Sequence, residues 1–132
     1  MKTLYRPVGE KEMILIAESG YTCFPPRLNW QPIFYPVLNE RYAVEIASQW
    51  NTNDGAANWL GFVLKFNIED SGFLNYEIQN VGAEHNDELW VPADELNKFN
   101  EAIVGKIEVV SFYVGANFMS TSNNVISQII GL

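Results

Sequence analysis

Residues 31–50, QPIFYPVLNERYAVEIASQW, carry the local signals that decide the fold. The apolar run at residues 33–35 is typical of a buried strand, and Pro36 ends it because proline has no backbone N–H to donate to a sheet. Asn39 then offers a side-chain oxygen to the first amides of a helix. Apolar residues at helical spacing indicate one buried helix face: Tyr42, Ala43, Ile46, Ala47 and Trp50. Aromatic rings that lie together at one edge of a sheet usually belong to the hydrophobic core. The alternative is that they form a surface on which a flat ligand stacks.

The chain before this stretch predicts a strand, a helix and a loop. The strand covers residues 3–8 and the helix covers residues 10–19. Residues 21–32 form a proline-rich loop, in which we expect the large apolar side chains of Phe24 and Trp30 to be buried.

The chain after this stretch predicts mainly strands, with a short helix before the last one. The predicted strands lie at residues 59–68, 73–81, 88–91 and 107–114, and the helix lies at residues 93–100. The expected fold class is α+β: a mostly antiparallel split sheet with N-terminal helices. We expect one domain at residues 1–114, followed by a C-terminal extension at residues 115–132 with apolar residues at helical spacing.

The size and composition are typical of one globular domain. The chain has 132 residues and contains no apolar run near the ~20 residues that a membrane span needs. Its N-terminus has no apolar signal region, and its single cysteine, Cys23, excludes an internal disulfide. We therefore expect a cytoplasmic protein without a membrane segment.

The net charge of -8 argues against nucleic acid as a partner, because the acidic surface repels phosphates and the eight cations form no cluster in the sequence. Three interpretations of the charge remain open. The first is that the charge only keeps the protein soluble. The second is that an anionic ligand is bound locally by one or two arginines. The third is that the acidic surface docks on a basic protein, as the surface of an immunity or antitoxin protein would.

Common catalytic and metal motifs are missing from the chain. His85 and Glu88 have an H-x-x-E spacing, but one histidine and one cysteine do not supply a zinc ligand set, and no metal site is predicted. Cys23 has no base nearby in the sequence, and no glycine-rich phosphate loop is present. Glu88, at the start of a predicted strand, is either a carboxylate that faces a cleft or a solvated charge at a sheet edge.

Three blocks of the chain, in this order, resemble a known family. They cover residues 4–21, 32–47 and 86–96. Together they are similar to the small bacterial ADP-ribosylation/crystallin-J proteins and, more distantly, to the catalytic fold of ADP-ribosyltransferase toxins and poly(ADP-ribose) polymerases. In the first block, Arg6 stands at the family's His/Arg position and Gly20 at its glycine.

The other two blocks match the family's motif residues as follows. In the second block, Tyr35 matches the motif tyrosine, with Phe34 one residue earlier as the alternative, and Tyr42 stands where the polymerases have serine. In the third block, Glu88 stands at the catalytic glutamate.

The resemblance implies an ADP-ribosyltransferase-like fold with an NAD site. Arg6 would contact the ribose or phosphate of NAD, and Tyr35 and Tyr42 would flank the nicotinamide ring. Glu88 would bind the nicotinamide ribose and stabilise the oxocarbenium-like transition state as nicotinamide leaves. If the loop at residues 21–32 closes over the ligand, we expect Arg27 and Trp30 of this loop to contact the ligand.

The chain departs from the polymerases at two positions, with Pro7 in place of a glycine and Tyr42 in place of the serine. Two functions are therefore implied. One is transfer of ADP-ribose from NAD to an acceptor, such as a protein, with Glu88 as the catalytic residue. The other is a binding module for NAD, ADP-ribose or a protein, without turnover.

Overall fold

Six strands form two antiparallel, three-stranded sheets in the computed structural model, which describes all 132 residues. The strands are β1 Lys2–Val8, β2 Ile33–Phe34, β3 Leu60–Ile68, β4 Glu77–Asn80, β5 Asp87–Pro92 and β6 Ile103–Val114. The helices are α1 Glu10–Glu18, α2 Glu40–Gln49, α3 Asp70–Leu74, α4 Leu96–Glu101 and α5 Asn124–Ile130. The predicted α+β class with antiparallel strands is confirmed.

The residue Val37 joins the two sheets. The strand order is β1-β3-β6 in one sheet and β2-β5-β4 in the other. Val37 forms one antiparallel bridge to Tyr5 of β1 and another to Glu88 of β5. Because bridge partners point their side chains to the same side, Tyr5, Val37 and Glu88 share one face of the split sheet.

Strand β3 is the centre of the fold and is buried on both faces. Phe62, Leu64 and Phe66 point into the main core, a cluster of 17 buried apolar residues. Val63, on the opposite face, packs into a smaller group that we call the α2 cluster. The α2 cluster consists of Val37, Tyr42, Ala43, Ala47 and Val63. A central strand covered on both sides explains the nearly continuous apolar sequence from Leu60 to Leu64.

Helix α2 begins where the sequence predicts it. The Asn39 side chain accepts a hydrogen bond from the Tyr42 backbone N–H at 2.9 Å, which is an N-cap. The prediction for Trp50 is wrong: α2 ends at Gln49, and Trp50 is 70% exposed. Trp50 is the C-cap residue, and its backbone N–H bonds the Ile46 carbonyl at 2.9 Å.

In the loop between α1 and β2, one of the two aromatic residues that were predicted to be buried is buried and the other is exposed. Phe24 is fully packed in the main core, and its backbone N–H and carbonyl both bond the Asn100 side chain, at 2.9 and 3.0 Å. Trp30 is 76% exposed, so its predicted burial is wrong. A hydrogen bond of 2.8 Å from the Gln31 N–H to the Leu28 carbonyl closes a turn that presents Trp30 to solvent.

Several boundaries in the C-terminal half differ from the prediction. Residues 70–74 form helix α3 instead of a turn that leads into a strand. The Glu69 carbonyl accepts from the Gly72 and Phe73 N–H groups at 3.0 and 3.1 Å, and Ala102 leaves no room for a Cβ at Gly72. The following strand is only β4, and β6 begins at Ile103 instead of residue 107.

The C-terminal residues 115–132 contain helix α5, at the position of the helical pattern. Its Ile126 is fully buried in the main core. None of the five helices has the length and apolar character needed to cross a membrane.

Candidate functional site

Arg6 is a buried charge that strand alternation forces into the interior. On β1, Leu4 and Val8 face the main core, and Arg6 lies between them on the same face with 7% of its surface exposed. Its guanidinium forms two hydrogen bonds with the Glu12 carboxylate, at 2.7 and 3.0 Å, and lies 4.6 Å from the centroid of the Phe34 ring. This two-point ion pair and the ring compensate most of its buried charge.

Arg27, in the loop between α1 and β2, binds the same Glu12 carboxylate through a single, longer hydrogen bond. One terminal N–H group donates to Glu12 at 3.4 Å, and the guanidinium lies 5.6 Å from the Phe34 centroid. Only 10% of the Arg27 side chain is exposed, and its Nε–H is buried with no hydrogen-bond partner. Arg27 therefore has donor capacity that the protein itself does not use.

The electrostatics of the three groups depend on each other. Burial by itself would raise the pKa of Glu12, but attraction to Arg6 and Arg27 outweighs burial and lowers that pKa below 4.5. Burial and repulsion from Arg6 lower the pKa of Arg27, which remains charged at neutral pH. Two cations therefore face one carboxylate.

A cavity of about 470 Å³ opens beside these groups, and we call it the arginine cavity. Its charged lining residues are Arg6, Lys11, Glu12, Arg27 and Asp54. Tyr35 and Gln31 also line it. Three cations against two carboxylates give this cavity a local positive excess in a protein whose net charge is -8.

A second, smaller space of about 280 Å³ adjoins the first, and we call it the aromatic slot. Trp30, Tyr35 and Trp90 line it. Arg27, Gln31 and Tyr35 line both spaces, so the arginine cavity and the aromatic slot are contiguous.

Glu88 lies on the other face of the split sheet, under α2, and is 7% exposed. It accepts hydrogen bonds from the Tyr42 hydroxyl at 2.6 Å and from the Trp90 indole N–H at 3.1 Å. Burial and the hydrogen bond to Glu88 raise the pKa of Tyr42, so its hydroxyl keeps the proton that it donates. His85, near Tyr42, is bonded to the Glu45 carboxylate at 2.7 Å.

The four residues suggested by the family resemblance form two pairs. Arg6 and Tyr35 line the arginine cavity, and Tyr42 and Glu88 are hydrogen-bonded to each other. Arg6 and Glu88 do not meet, because Arg6 points into the main core while Glu88 points towards α2. Trp90 connects the two pairs, since it bonds Glu88 and lines the aromatic slot.

Sequence reasoning missed two participants in this site. Glu12 was not singled out, although a buried arginine on an inward-facing strand position requires a carboxylate nearby, and α1 supplies acidic residues. Trp90 was not singled out either, although side-chain alternation along a strand places it on the same face of β5 as Glu88.

Comparisons of the chain with family models, with curated proteins and with solved structures found no match in any of the three.

Proposed function

We propose that the protein binds NAD or ADP-ribose, with the pyrophosphate in the arginine cavity and a flat ring in the aromatic slot. The observation that carries this proposal is the contiguity of the two spaces, which share Arg27, Gln31 and Tyr35. Both nucleotides join a pyrophosphate to flat rings through riboses. The split antiparallel sheet also supports the ADP-ribosyltransferase-like fold that the sequence resembles.

The charge distribution supports an anionic ligand at this position. Three of the eight cations of the chain line one cavity, although they are distant in the sequence. Of the two carboxylates there, Glu12 is bound to the arginines and Asp54 accepts a hydrogen bond from the Ala56 N–H at 2.9 Å. The local field therefore opposes that of the whole protein and favours a negatively charged group.

The exposed aromatic rings of the slot are the second observation in favour of this ligand, because they suit its flat ring. Trp30 leaves 76% of its surface exposed beside Tyr35 and Trp90, which are also exposed. Exposed aromatic rings that surround a concave space mark ligand-binding surfaces, because a ligand ring covers apolar area that water otherwise contacts.

Isothermal titration calorimetry with ADP-ribose and NAD tests this proposal. We expect saturable binding that weakens about tenfold in Trp30→Ala, since stacking on one aromatic ring contributes about 1–3 kcal/mol. The matched control is Trp50→Ala, which removes an equally exposed indole that lines neither space. Absence of saturable binding of both nucleotides, or equal weakening in the two variants, would contradict the proposal.

Transfer of ADP-ribose is the second candidate function, and the Trp90–Glu88 hydrogen bond favours it. This bond holds a carboxylate at the edge of a ring that lines the aromatic slot. In the transfer, the bond between the ribose and nicotinamide breaks, nicotinamide leaves with the bonding electrons, and an acceptor nucleophile attacks the ribose carbon and loses its proton. A nearby carboxylate stabilises the positive charge that develops on the ribose.

Nicotinamide release from NAD distinguishes transfer from binding alone. We expect an active enzyme to release nicotinamide and Glu88→Gln, which keeps the shape and removes the charge, to lose that release. Binding of NAD by the wild-type protein without any release would exclude transfer and leave the binding function in place.

A further inference from the structure

We propose that Arg27 is the residue that binds the ligand's phosphate groups, and that the Arg6–Glu12 pair is the fixed frame that positions it. This inference deepens the proposed function and rests on it for the nucleotide, although the same chemistry applies to free pyrophosphate. The two arginines share one carboxylate, but their surroundings give them different roles.

Arg6 is the more firmly held of the two arginines. Its Nε–H and one terminal N–H group already donate to both oxygens of Glu12, at 2.7 and 3.0 Å. The side chain also lies over the Phe34 ring and is almost completely buried. A two-point contact of this kind fixes both partners, so the pair forms one wall of the arginine cavity.

Arg27 is equally buried but is held more loosely. Its contact with Glu12, at 3.4 Å, is made to an oxygen that already accepts a shorter bond from Arg6. Its Nε–H is buried without a partner, and nine-tenths of its side chain is covered. Only Arg27 among the charged residues lines both the arginine cavity and the aromatic slot. The terminal N–H groups make only the long bond to Glu12, and a phosphate oxygen in the cavity would supply them with a closer acceptor.

The class of ligand follows from the charge that remains. Once Glu12 is paired with Arg6, the charge of Arg27 is left without full compensation, and Lys11 lies on the same cavity. Two cations on one cavity suit a dianionic group such as pyrophosphate. Asp54 also lines the cavity and disfavours an anion close to it, so we place the phosphate groups at Arg27.

The experiment measures binding of three probes to the full chain at low salt: inorganic pyrophosphate, ADP-ribose and adenosine. In Arg27→Gln we expect pyrophosphate and ADP-ribose to bind at least tenfold more weakly and adenosine to be unaffected. Arg27→Lys should restore part of the affinity because it restores the charge. The control is Arg41→Gln, since Arg41 is an exposed arginine that lines neither space. Urea unfolding of each variant confirms that the fold is intact.

The outcomes separate this inference from the proposed function. ADP-ribose that binds wild type and Arg27→Gln equally well would overturn the role of Arg27 and leave nucleotide binding in place. Pyrophosphate that binds through Arg27, with no binding of ADP-ribose or NAD, would support the phosphate site and overturn the nucleotide. Failure of every probe to bind the wild-type protein would overturn both.

Discussion

The Glu12 carboxylate lies between two guanidinium groups at the edge of the main core. Its pKa is lowered because the attraction of Arg6 and Arg27 outweighs the effect of burial. A group whose pKa is lower in the folded than in the unfolded state stabilises the fold above its unfolded pKa. This stabilisation is lost as the pH falls through the folded value.

Glu12→Gln is expected to lower the free energy of unfolding at pH 7 by about 2 kcal/mol, because it leaves two arginines without a counter-charge in a partly buried site. The wild-type protein should lose stability as the pH falls from about 4.5, and the variant should lose less over the same range. Urea unfolding at pH 7 and at pH 3.5 measures both effects. Glu18→Gln, at an exposed position of the same helix, is the control. Equal acid sensitivity in wild type and Glu12→Gln would contradict the expectation.

Tyr42→Phe is expected to cost about 2 kcal/mol of folding stability, since it removes one of two donors from the buried Glu88 carboxylate. Tyr76→Phe offers a matched comparison. The Tyr76 hydroxyl donates to Glu95 over a longer distance, 3.3 Å, and its pKa is also raised by burial and by Glu95. We expect a smaller loss there, and equal losses in chemical denaturation would contradict the importance of the Glu88 bond.

The sequence singles out Arg6 and Glu88 but not the partners that they have in the structure. Both are buried polar residues. The alternation of Leu4 and Val8 already indicates that Arg6 points inward. Its pairing with Glu12 depends on how α1 docks against β1, and no local pattern contains that information.

At the scale of elements, the contact between α2 and β3 holds the smaller cluster together. Gly61 lies so close to the Ala47 carbonyl that a Cβ atom would overlap the helix backbone. This close approach lets Val63 and Ala43 pack in the α2 cluster and keeps Tyr42 over Glu88.

Gly61→Ala is expected to destabilise the protein by about 3 kcal/mol, because the helix backbone must shift to admit the methyl group. Gly105→Ala is the control, since that position has open space around it but a left-handed backbone with φ of +74°. There the added Cβ should cost only about 1 kcal/mol. Thermal unfolding ranks the two variants, and a larger loss for Gly105→Ala would contradict the tight contact.

Elements defined by local signals were predicted well, and those defined by distant contacts were not. The N-cap Asn39 and the core strand β3 follow from neighbouring residues. Strand β2 ends at Phe34, one residue before the predicted end, and Tyr35 is 46% exposed. The helix α3 was missed because Gly72 reads as a turn residue unless its contact with Ala102 is known. The outward position of Trp30 likewise depends on the turn closed by Gln31.

At the scale of the whole molecule, the C-terminal helix completes the main core. Ile126 is fully buried there, although it lies in a polar, small-residue part of the chain. The core that supports Arg6 and Phe34 therefore includes residues from both ends of the sequence.

Ile126→Ala is expected to lower stability by about 3 kcal/mol, the usual cost of removing a large aliphatic side chain from a core. Met119→Ala, at a position that is almost fully exposed, should change stability by less than about 0.5 kcal/mol. Guanidinium unfolding of the two variants gives the comparison. A small effect of Ile126→Ala would show that the helix is peripheral to the core.

The global arrangement of the site could not be predicted from the sequence. Val37 links Tyr5 to Glu88, and this register places Arg6 and Glu88 on opposite faces. A shift of one residue in the pairing of either strand would turn its side chains to the opposite face of the sheet. The packing of the whole fold therefore decides how two strands that are distant in the chain are aligned. The contiguity of the arginine cavity and the aromatic slot follows from the same arrangement.

The most direct measurement of nucleotide binding in these spaces uses the four tryptophan indole N–H signals in a two-dimensional NMR spectrum. Trp→Phe variants assign the signals, and NAD or ADP-ribose is then added. We expect the signals of Trp30 and Trp90, which line the aromatic slot, to shift with saturation, while those of Trp50 and Trp59 stay in place. Saturable shifts confined to Trp50 and Trp59, or no shifts with either nucleotide, would contradict the proposed site.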